Sequence, residues 1–535
     1  MPFAFVAALA ALAPVTPPAP AAPAPLILDR GRVDRAPLVP ADSAPAGPPG
    51  GRTAIEARAN GVTIQRILFD HGAVPAPVAA AAQRFVGQSA TGETLAALGK
   101  AMADAYARSD IALYSVVVPR QSFARGEVHI LAIEGFIERA TFVKGETRLL
   151  RAYARALAAE RPLRRRTLER YVSLMRDVPG GKIDVQLLRG TKPGGVVLQI
   201  AATRKHREAA LGFDNQGPSL LGDAEMRGEL HAYSLLRDGD RTDLTGLASP
   251  DFHHLLYVAG AHATPLGDEG ATITASAGYI VTRPRHSLIE GHATTFGVTA
   301  SWPLIRGYRR NLTASIGLDG VDSDAAAFGT SLSSDRTRAL RGALGYAMSG
   351  TKAAFTAGLT ISRGLDILGA RGTANATDTV FTKVNGRVTY DRQVAARWFV
   401  HLRAAGQYSA ERLAAAERFA VGGADFGRAF DSALLSGDRG AAGSAELAWR
   451  PKLPTRLAGS EVYGFVDGAR LRIAARYPYA AGTFGLASAG GGVRLAYGNR
   501  ASIQIEGASA IDQPYSGYHA GWRVNIGWRL SLAHH

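Results

Sequence analysis

The chain contains no cysteine. That absence excludes a disulfide scaffold, a thiol nucleophile and a Cys-ligated metal, and it leaves an oxidising compartment harmless. Long apolar runs are missing too. No stretch beyond the first residues approaches the roughly 18 apolar residues that a membrane-crossing helix needs. If the chain crosses a bilayer, it must do so as a closed β-barrel. Acidic residues are in deficit, 45 Asp and Glu against 61 Lys and Arg, so a formal charge of +16 calls for a polyanionic partner or surface to be considered. Enzyme signatures are lacking as well. "GETLAALGKA" (residues 92–101) has neither the spacing of a phosphate-binding loop nor Ser/Thr after Lys100. Neither His-Glu-x-x-His nor Gly-x-Ser-x-Gly occurs. His253 and His254 are adjacent on an expected strand, so they would point to opposite faces and could not hold one ion together. The expectation is a non-enzyme with no cofactor and no metal. A dispersed Ser/His/Asp site in a barrel wall is the one enzyme reading left open.

The 535 residues are enough for several domains. Residues 1–25 begin with an apolar block, Phe3 to Ala13, and end in small residues and prolines, which suits a secretory signal although no basic residue precedes Arg30. Residues 26–59 are rich in Pro, Ala and Gly and read as a linker, with room for at most a short helix over "LILDRGRVDR". Two units of similar size follow, 60–135 and 136–205, each with the order βααββ. In the first, Leu95, Leu98, Met102, Ala105 and Tyr106 recur at helical spacing. In the second, Thr167 is the expected N-cap of "TLERYVSLMRDVPG", and Pro179-Gly180 follow its end.

From about His206 helical periodicity gives way to alternation. In "HAGWRVNIGWRLSL" Trp522, Val524, Ile526, Trp528, Leu530 and Leu532 share one face, while Arg523, Asn525, Arg529 and Ser531 share the other. One such strand fits a sandwich or a barrel equally well. About sixteen candidate strands, commonly 9–14 residues long, favour a barrel, because that length suits a tilted crossing of about 9–11 residues. Charged residues at lumen-parity positions point the same way, since a dry sandwich core would not tolerate them. The expected fold is therefore two α+β units followed by an all-β, sixteen-stranded transmembrane barrel over residues 206–535. Within it, "FAVGGADFGRAFDSALLSGDRG" (419–440) breaks the alternation with a Gly-rich excursion around Arg428.

Several stretches resemble one family. "VVVPRQSFARGEVHILAIEGFIERATFVKG" (116–145) resembles the end of the first polypeptide-transport-associated (POTRA) domain of two-partner secretion transporters, the haemolysin secretion/activation type. "LERYVSLMRDVPGGKIDVQLLRGTKPGG" (168–195) is similar to the second POTRA domain, and "LGFDNQG" (211–217) to the first barrel strand. The Gly-rich stretch resembles the sixth extracellular loop, spanning about 410–440, which folds back into the barrel. Its Val-Arg-Gly-Tyr/Phe signature reads here Gly427-Arg428-Ala429-Phe430. The partner signature on the barrel wall is met by Phe465 and Asp467 in "YGFVDGARL". Two residues apart on a strand, these share a face, and Asp467 is expected to accept a bidentate bond from Arg428, forming a latch.

The resemblance implies an outer-membrane transporter of a Gram-negative bacterium. Its periplasmic POTRA domains would capture an unfolded, haemolysin- or adhesin-like passenger, and a monomeric barrel set in outer-membrane lipid would conduct it outward. An outer-membrane assembly barrel is the alternative reading, and a passive porin a weaker one. Between residues 136 and 206 there are sixteen Lys/Arg and six Asp/Glu, a surplus of ten. Arg161, Arg164, Arg165, Arg166 and Arg170 form its densest patch, an expected steering surface for an acidic passenger. No nucleic-acid motif or aromatic interleaving accompanies the patch, so nucleic acid is not expected as a partner.

Overall fold

The computed structural model describes residues 52–532 except 59, 71, 124, 328, 329 and 477–479. The expected signal segment and most of the expected linker lie outside the described residues. The linker reading ends early, because residues 52–55 are already structured. Strand β1 (Arg52–Ile55) pairs in parallel with β3 (Tyr114–Val118), so the first unit has four strands in the order β1-β3-β4-β2, with β2 at Arg66–Phe69 and β4 at Glu127–Glu134. Helices α1 (Ala76–Gln83) and α2 (Gly92–Arg108) cover this sheet. Leu95, Leu98, Met102 and Tyr106 are fully buried against Val116, Val118, Val128 and Ile130, as their helical and alternating spacings require. The Thr91 hydroxyl caps α2 by accepting from the amide of Thr94.

The second unit keeps the order βααββ: β5 (Phe136–Lys144), α3 (Arg148–Ala159), α4 (Arg165–Arg176), β6 (Gly181–Arg189) and β7 (Gly195–Arg204), with strand order β5-β7-β6. Helix α4 starts two residues before the expected cap. Arg164 is the N-cap, without a side-chain bond, and Thr167 lies inside the helix. The two units meet at Gly135, whose amide donates to Leu113 O (2.7 Å) and whose carbonyl accepts from Leu163 N (2.9 Å). A Cβ at Gly135 would sit 2.7 Å from that of Leu113, so only glycine permits this close approach.

Residues 207–532 form a closed barrel of sixteen antiparallel strands. The first strand, Arg207–Asp214, pairs with the sixteenth, Trp522–Leu532, and seals the cylinder. The burial pattern inverts that of a soluble protein. Along the thirteenth strand (Glu461–Ile473), Glu461, Tyr463, Phe465 and Asp467 are buried, whereas Val462 and Val466 are exposed on the outer wall. On the sixteenth, Trp522 is 78% exposed and Asn525 only 2%. That excludes a sandwich, because the apolar face looks outward and the polar face inward. Several strands exceed the expected length. The sixth to eighth (Ile289–Arg306, Arg310–Ala327, Thr330–Ser349) run to 18, 18 and 20 residues.

The second unit docks on one rim of the barrel. Nε and Nη2 of Arg306, at the end of the sixth strand, donate to Asp177 at 2.6 Å. Tyr308, in the turn between the sixth and seventh strands, inserts into the apolar core of the second unit. Asp238, in the turn after the second barrel strand (Glu225–Tyr233), accepts from Leu149 N at 3.0 Å and Arg204 Nη2 at 2.8 Å. Connections after odd-numbered strands therefore lie at the opposite rim. One of them, residues 410–438, folds back into the lumen and carries a small hairpin of Phe419–Val421 with Leu435–Gly437.

Candidate functional site

The inward loop is built to turn sharply at its tip. Gly422, Gly423 and Gly427 have positive φ angles (106°, 88° and 84°), which L side chains adopt only with strain. The Gly427 turn places Arg428 against the wall made by the twelfth (Arg439–Trp449), thirteenth, fourteenth (Gly482–Tyr497) and fifteenth (Ala501–Asp512) strands. Arg428 is only 3% exposed. Its Nη1 donates to Glu506 Oε2 at 2.9 Å and to Glu446 Oε2 at 3.3 Å, and its Nη2 donates to Ser444 Oγ at 3.2 Å. The guanidinium lies over the Phe465 ring, 4.0 Å from its centroid.

The expected bidentate bond between Arg428 and Asp467 is not what the fold makes. Nε of Arg428 stands 3.4 Å from Asp467 Oδ2, a charge contact without hydrogen-bond alignment. Asp467 Oδ1 instead accepts from the backbone amide of Gly427 at 2.7 Å and from Ser488 Oγ at 2.6 Å. The physical reason is reach. Seated in the tight turn, Gly427 presents its amide to Asp467, while the longer arginine passes beyond to Glu446 and Glu506. Asp467 thus holds the loop backbone, and the other two carboxylates hold the side chain. Asn525 closes the cage, donating to Arg428 O at 3.0 Å and to Glu506 Oε1 at 3.2 Å. Tyr463 also donates to Glu506, at 2.8 Å. Phe430 is buried near Tyr518, their ring centroids 6.2 Å apart, and Ala429 is buried beside it.

Sequence reasoning found Arg428 and Asp467 but missed Glu446, Glu506, Ser444, Ser488 and Asn525. Each sits at a lumen-parity position, and only cross-strand register (Ser444 opposite Asp467, and Asp467 opposite Ser488) brings them together. It also missed two anchors on the limbs of the loop. Glu417 accepts from Arg341 (2.7 and 3.2 Å) and from Lys383 Nζ (2.5 Å), and Arg341 also binds Asp319, all of them buried. Asp438 accepts from Arg476 Nη2 at 2.6 Å and from Leu413 N and Ala474 N, each at 2.8 Å.

The basic patch on the second unit is largely engaged within the molecule. Arg161 stacks on Phe136 (4.4 Å), and Arg164 lies 3.6 Å from Glu160. Arg165 donates to Ile111 O at 3.5 Å, and Arg166 lies 3.6 Å from Asp110. Arg170 bonds Pro303 O and Glu269 of the barrel rim. Tyr171 donates to Glu269 as well (2.9 Å), and burial together with that carboxylate pushes its hydroxyl pKa up to about 12. His253 and His254 lie in a bend before the fourth strand (Leu255–Leu266), not on a strand. Their rings meet edge to face at 5.2 Å. One acid–imidazole group, His401, Glu446 and Glu461, lies in the lumen, but Arg494 already donates to both carboxylates at 2.5–2.8 Å.

A closed sixteen-stranded barrel, apolar outside and polar inside, with α/β units on one rim and a loop tucked into its lumen, defines an outer-membrane POTRA-type barrel. The sequence profile of the haemolysin secretion/activation proteins ShlB/FhaC/HecB matches residues 194–495, more than half of the chain. The chain belongs to that family. The outer membrane transporter CdiB of Dickeya dadantii (strain 3937) is 26% identical over 382 residues. That match spans 66% of this chain and 65% of the relative, just under two thirds of its length. Among solved structures, CdiB from Escherichia coli superposes with a TM-score of 0.73 at 18% identity, covering 89% of this chain and 91% of that one. CdiB from Acinetobacter baumannii gives 0.63 at 15% identity, covering 95% and 96%. BamA from Haemophilus ducreyi lacking POTRA domains 1–3 gives 0.52 at 11% identity, covering 88% and 100%. At these identities the structural likeness establishes the fold. The barrel is an outer-membrane protein.

Proposed function

We propose that this protein exports a secreted partner protein across the outer membrane, with the inward loop as the element that holds the lumen closed until export. The observation that carries this reading is the buried cage around Arg428. The cage draws the loop into the lumen and fixes it there through three carboxylates, so the lumen has a built closure that must be released for a chain to pass. In water an exposed ion pair contributes little, but here the partners are desolvated. Removing Arg428 would leave Glu446, Asp467 and Glu506 facing one another, a loss of about 3–5 kcal/mol for the seated loop. The cage therefore acts as a latch that selects one loop position.

In this reading the two POTRA units receive the unfolded passenger. The surplus of ten positive charges over residues 136–206 acts at a distance, so local pairing of individual arginines does not cancel its attraction for an acidic chain. An added strand on a sheet edge would then hold the passenger. The test is co-expression of Arg428→Ala with a cognate passenger, scoring export and barrel insertion separately. The expected outcome is a normally inserted barrel with export reduced at least tenfold, because a loop without its seat no longer takes one position but wanders through the lumen that the passenger must thread, even though small ions pass more freely. Normal export by an inserted variant overturns the latch. Steering has its own check. Binding of a passenger fragment to the full chain should weaken as salt rises, and salt-independent binding would rule steering out.

A further inference from the structure

We propose that the groove where the second POTRA unit meets the barrel rim binds the phosphate of an anionic phospholipid in the inner leaflet, through Arg309 and Arg310 with Arg166 opposite. The groove has a volume of about 1460 Å³ and is walled by α3, α4 and Tyr114 of the first unit on one side and by Glu269 and residues 304–310 of the barrel on the other. Its α-helical wall also carries Glu160 and Glu169, so the phosphate is placed at the Arg309–Arg310 end, away from them.

Its position relative to the bilayer follows from the strands. On the sixth strand Trp302 (41%), Leu304 (56%) and Ile305 (49%) are exposed on the outer wall. On the seventh strand Ile316 and Leu318 are exposed, while Asn311, Thr313 and Asp319 are buried in the lumen. Even-numbered residues of that strand therefore face lipid, and Arg310 has their parity. Its cross-strand neighbour, Met348, is also exposed. Arg310 is thus a cation on the lipid face at the periplasmic end of the apolar band, the level at which phospholipid phosphates lie. Trp302 marks the same boundary in the manner of an interfacial aromatic girdle.

The two arginines are held in place. Tyr308, just before them, is buried in the core of the second unit and packs under Arg176 (5.9 Å to its ring centroid). The carbonyl of Arg309 accepts from Ser349 N at 2.9 Å. Both side chains are exposed, and neither makes an ion pair among the described residues. The other rim arginines are already committed, Arg306 to Asp177 and Arg170 to Glu269. Across the groove, Arg166 is exposed and only loosely paired with Asp110 at 3.6 Å. The unpaired guanidinium groups of Arg309 and Arg310, carried on a fixed backbone turn beside a lipid-facing apolar band, match a phosphate headgroup whose acyl chains continue along Leu304 and Ile305.

The test uses the full-length protein in detergent, with phosphatidylglycerol or phosphatidylcholine added and bound lipid counted by native mass spectrometry. The wild-type protein should retain phosphatidylglycerol preferentially, and Arg309→Gln/Arg310→Gln should lose that preference by about fivefold per arginine, as expected for basic side chains at an anionic surface. Arg310→Lys should restore part of it. Heat-modifiable migration of the barrel confirms that the variants fold. Equal retention of both lipids, or an unchanged preference in the double variant, overturns the proposal. Complete displacement by inorganic phosphate overturns it in favour of a phosphate site. Loss of export without any change in bound lipid overturns it in favour of a protein-binding surface. Because lipid retention is measured without a passenger, a failed export mechanism would not alter this result.

Discussion

At the residue scale the site is a distribution of labour around one guanidinium. Arg428 and Asp467 were legible in the sequence because each stands in a local signature. The rest of the cage was not, since Glu446 and Glu506 look like any acidic residue of lumen parity until the register of four strands is known. The division predicts different outcomes for two substitutions of Asp467. Asn at this position keeps an oxygen for the Gly427 amide and Ser488, so Asp467→Asn should seat the loop nearly normally. Asp467→Leu leaves that buried amide without its acceptor, costing about 1–3 kcal/mol. Protease cleavage within residues 419–440 of the folded protein should therefore rise in the Leu variant and stay close to wild type in the Asn variant. Cleavage raised equally in both would show that the charge, not the hydrogen bond, holds the backbone. Gly427→Ala makes a related case. At φ 84° an alanine is strained by about 1–2 kcal/mol, and its Cβ would press on Leu486, so the tip should loosen there too.

At the scale of the element, the loop is anchored at more points than its tip. Glu417 ties one limb to Arg341 and Lys383 on the eighth and tenth (Thr382–Ala395) strands, and Asp438 ties the other to Arg476. Glu417→Gln removes the charge opposite two buried cations, which should cost about 3–5 kcal/mol of limb seating. Hydrogen exchange should then quicken in residues 413–421 while the amides near Arg428 stay protected. If both regions loosen together, the loop moves as a single body. The Gly-rich sequence announced that a loop was present, and alternation announced the strands around it. Nothing local marked the limb anchors, because Glu417 and Arg341 are 76 residues apart and meet only once the barrel closes. The extent of the sixth to eighth strands was hidden for a related reason. Their far ends carry small and polar residues such as "DSDAAA" (322–327), whose pairing depends on neighbours rather than on their own propensity.

At the scale of the whole molecule, the fold class followed from alternation, strand number and the two α/β units. The first strand of the first unit was obscured by the Pro/Ala/Gly-rich composition around it. The rim contacts could not be read from sequence at all, since they join side chains from separately folding parts. One of them carries a pH dependence. Burial tends to raise the pKa of Asp238, but Leu149 N, the Thr147 hydroxyl and Arg204 together hold it below the ordinary aspartate value. A depressed pKa means that the carboxylate stabilises docking above the unfolded value of about 3.9, and that this contribution fades as pH falls through the folded pKa. Proteolysis of the second POTRA unit should accordingly be flat from neutral pH to about 5 and accelerate only below about 4. In Asp238→Asn the low-pH step should shrink, and a step of unchanged size would assign it to another group.

In the proposed export mechanism Arg428 keeps the loop inside the lumen and so keeps the pore shut. Single-channel recording in planar lipid bilayers tests it most directly, using purified wild-type protein and Arg428→Ala of matched heat-modifiable folding. The variant should show larger and more frequent openings than the wild type, because three buried carboxylates have lost the cation that drew the loop in. A folded Arg428→Ala barrel that conducts no more than the wild type would contradict it.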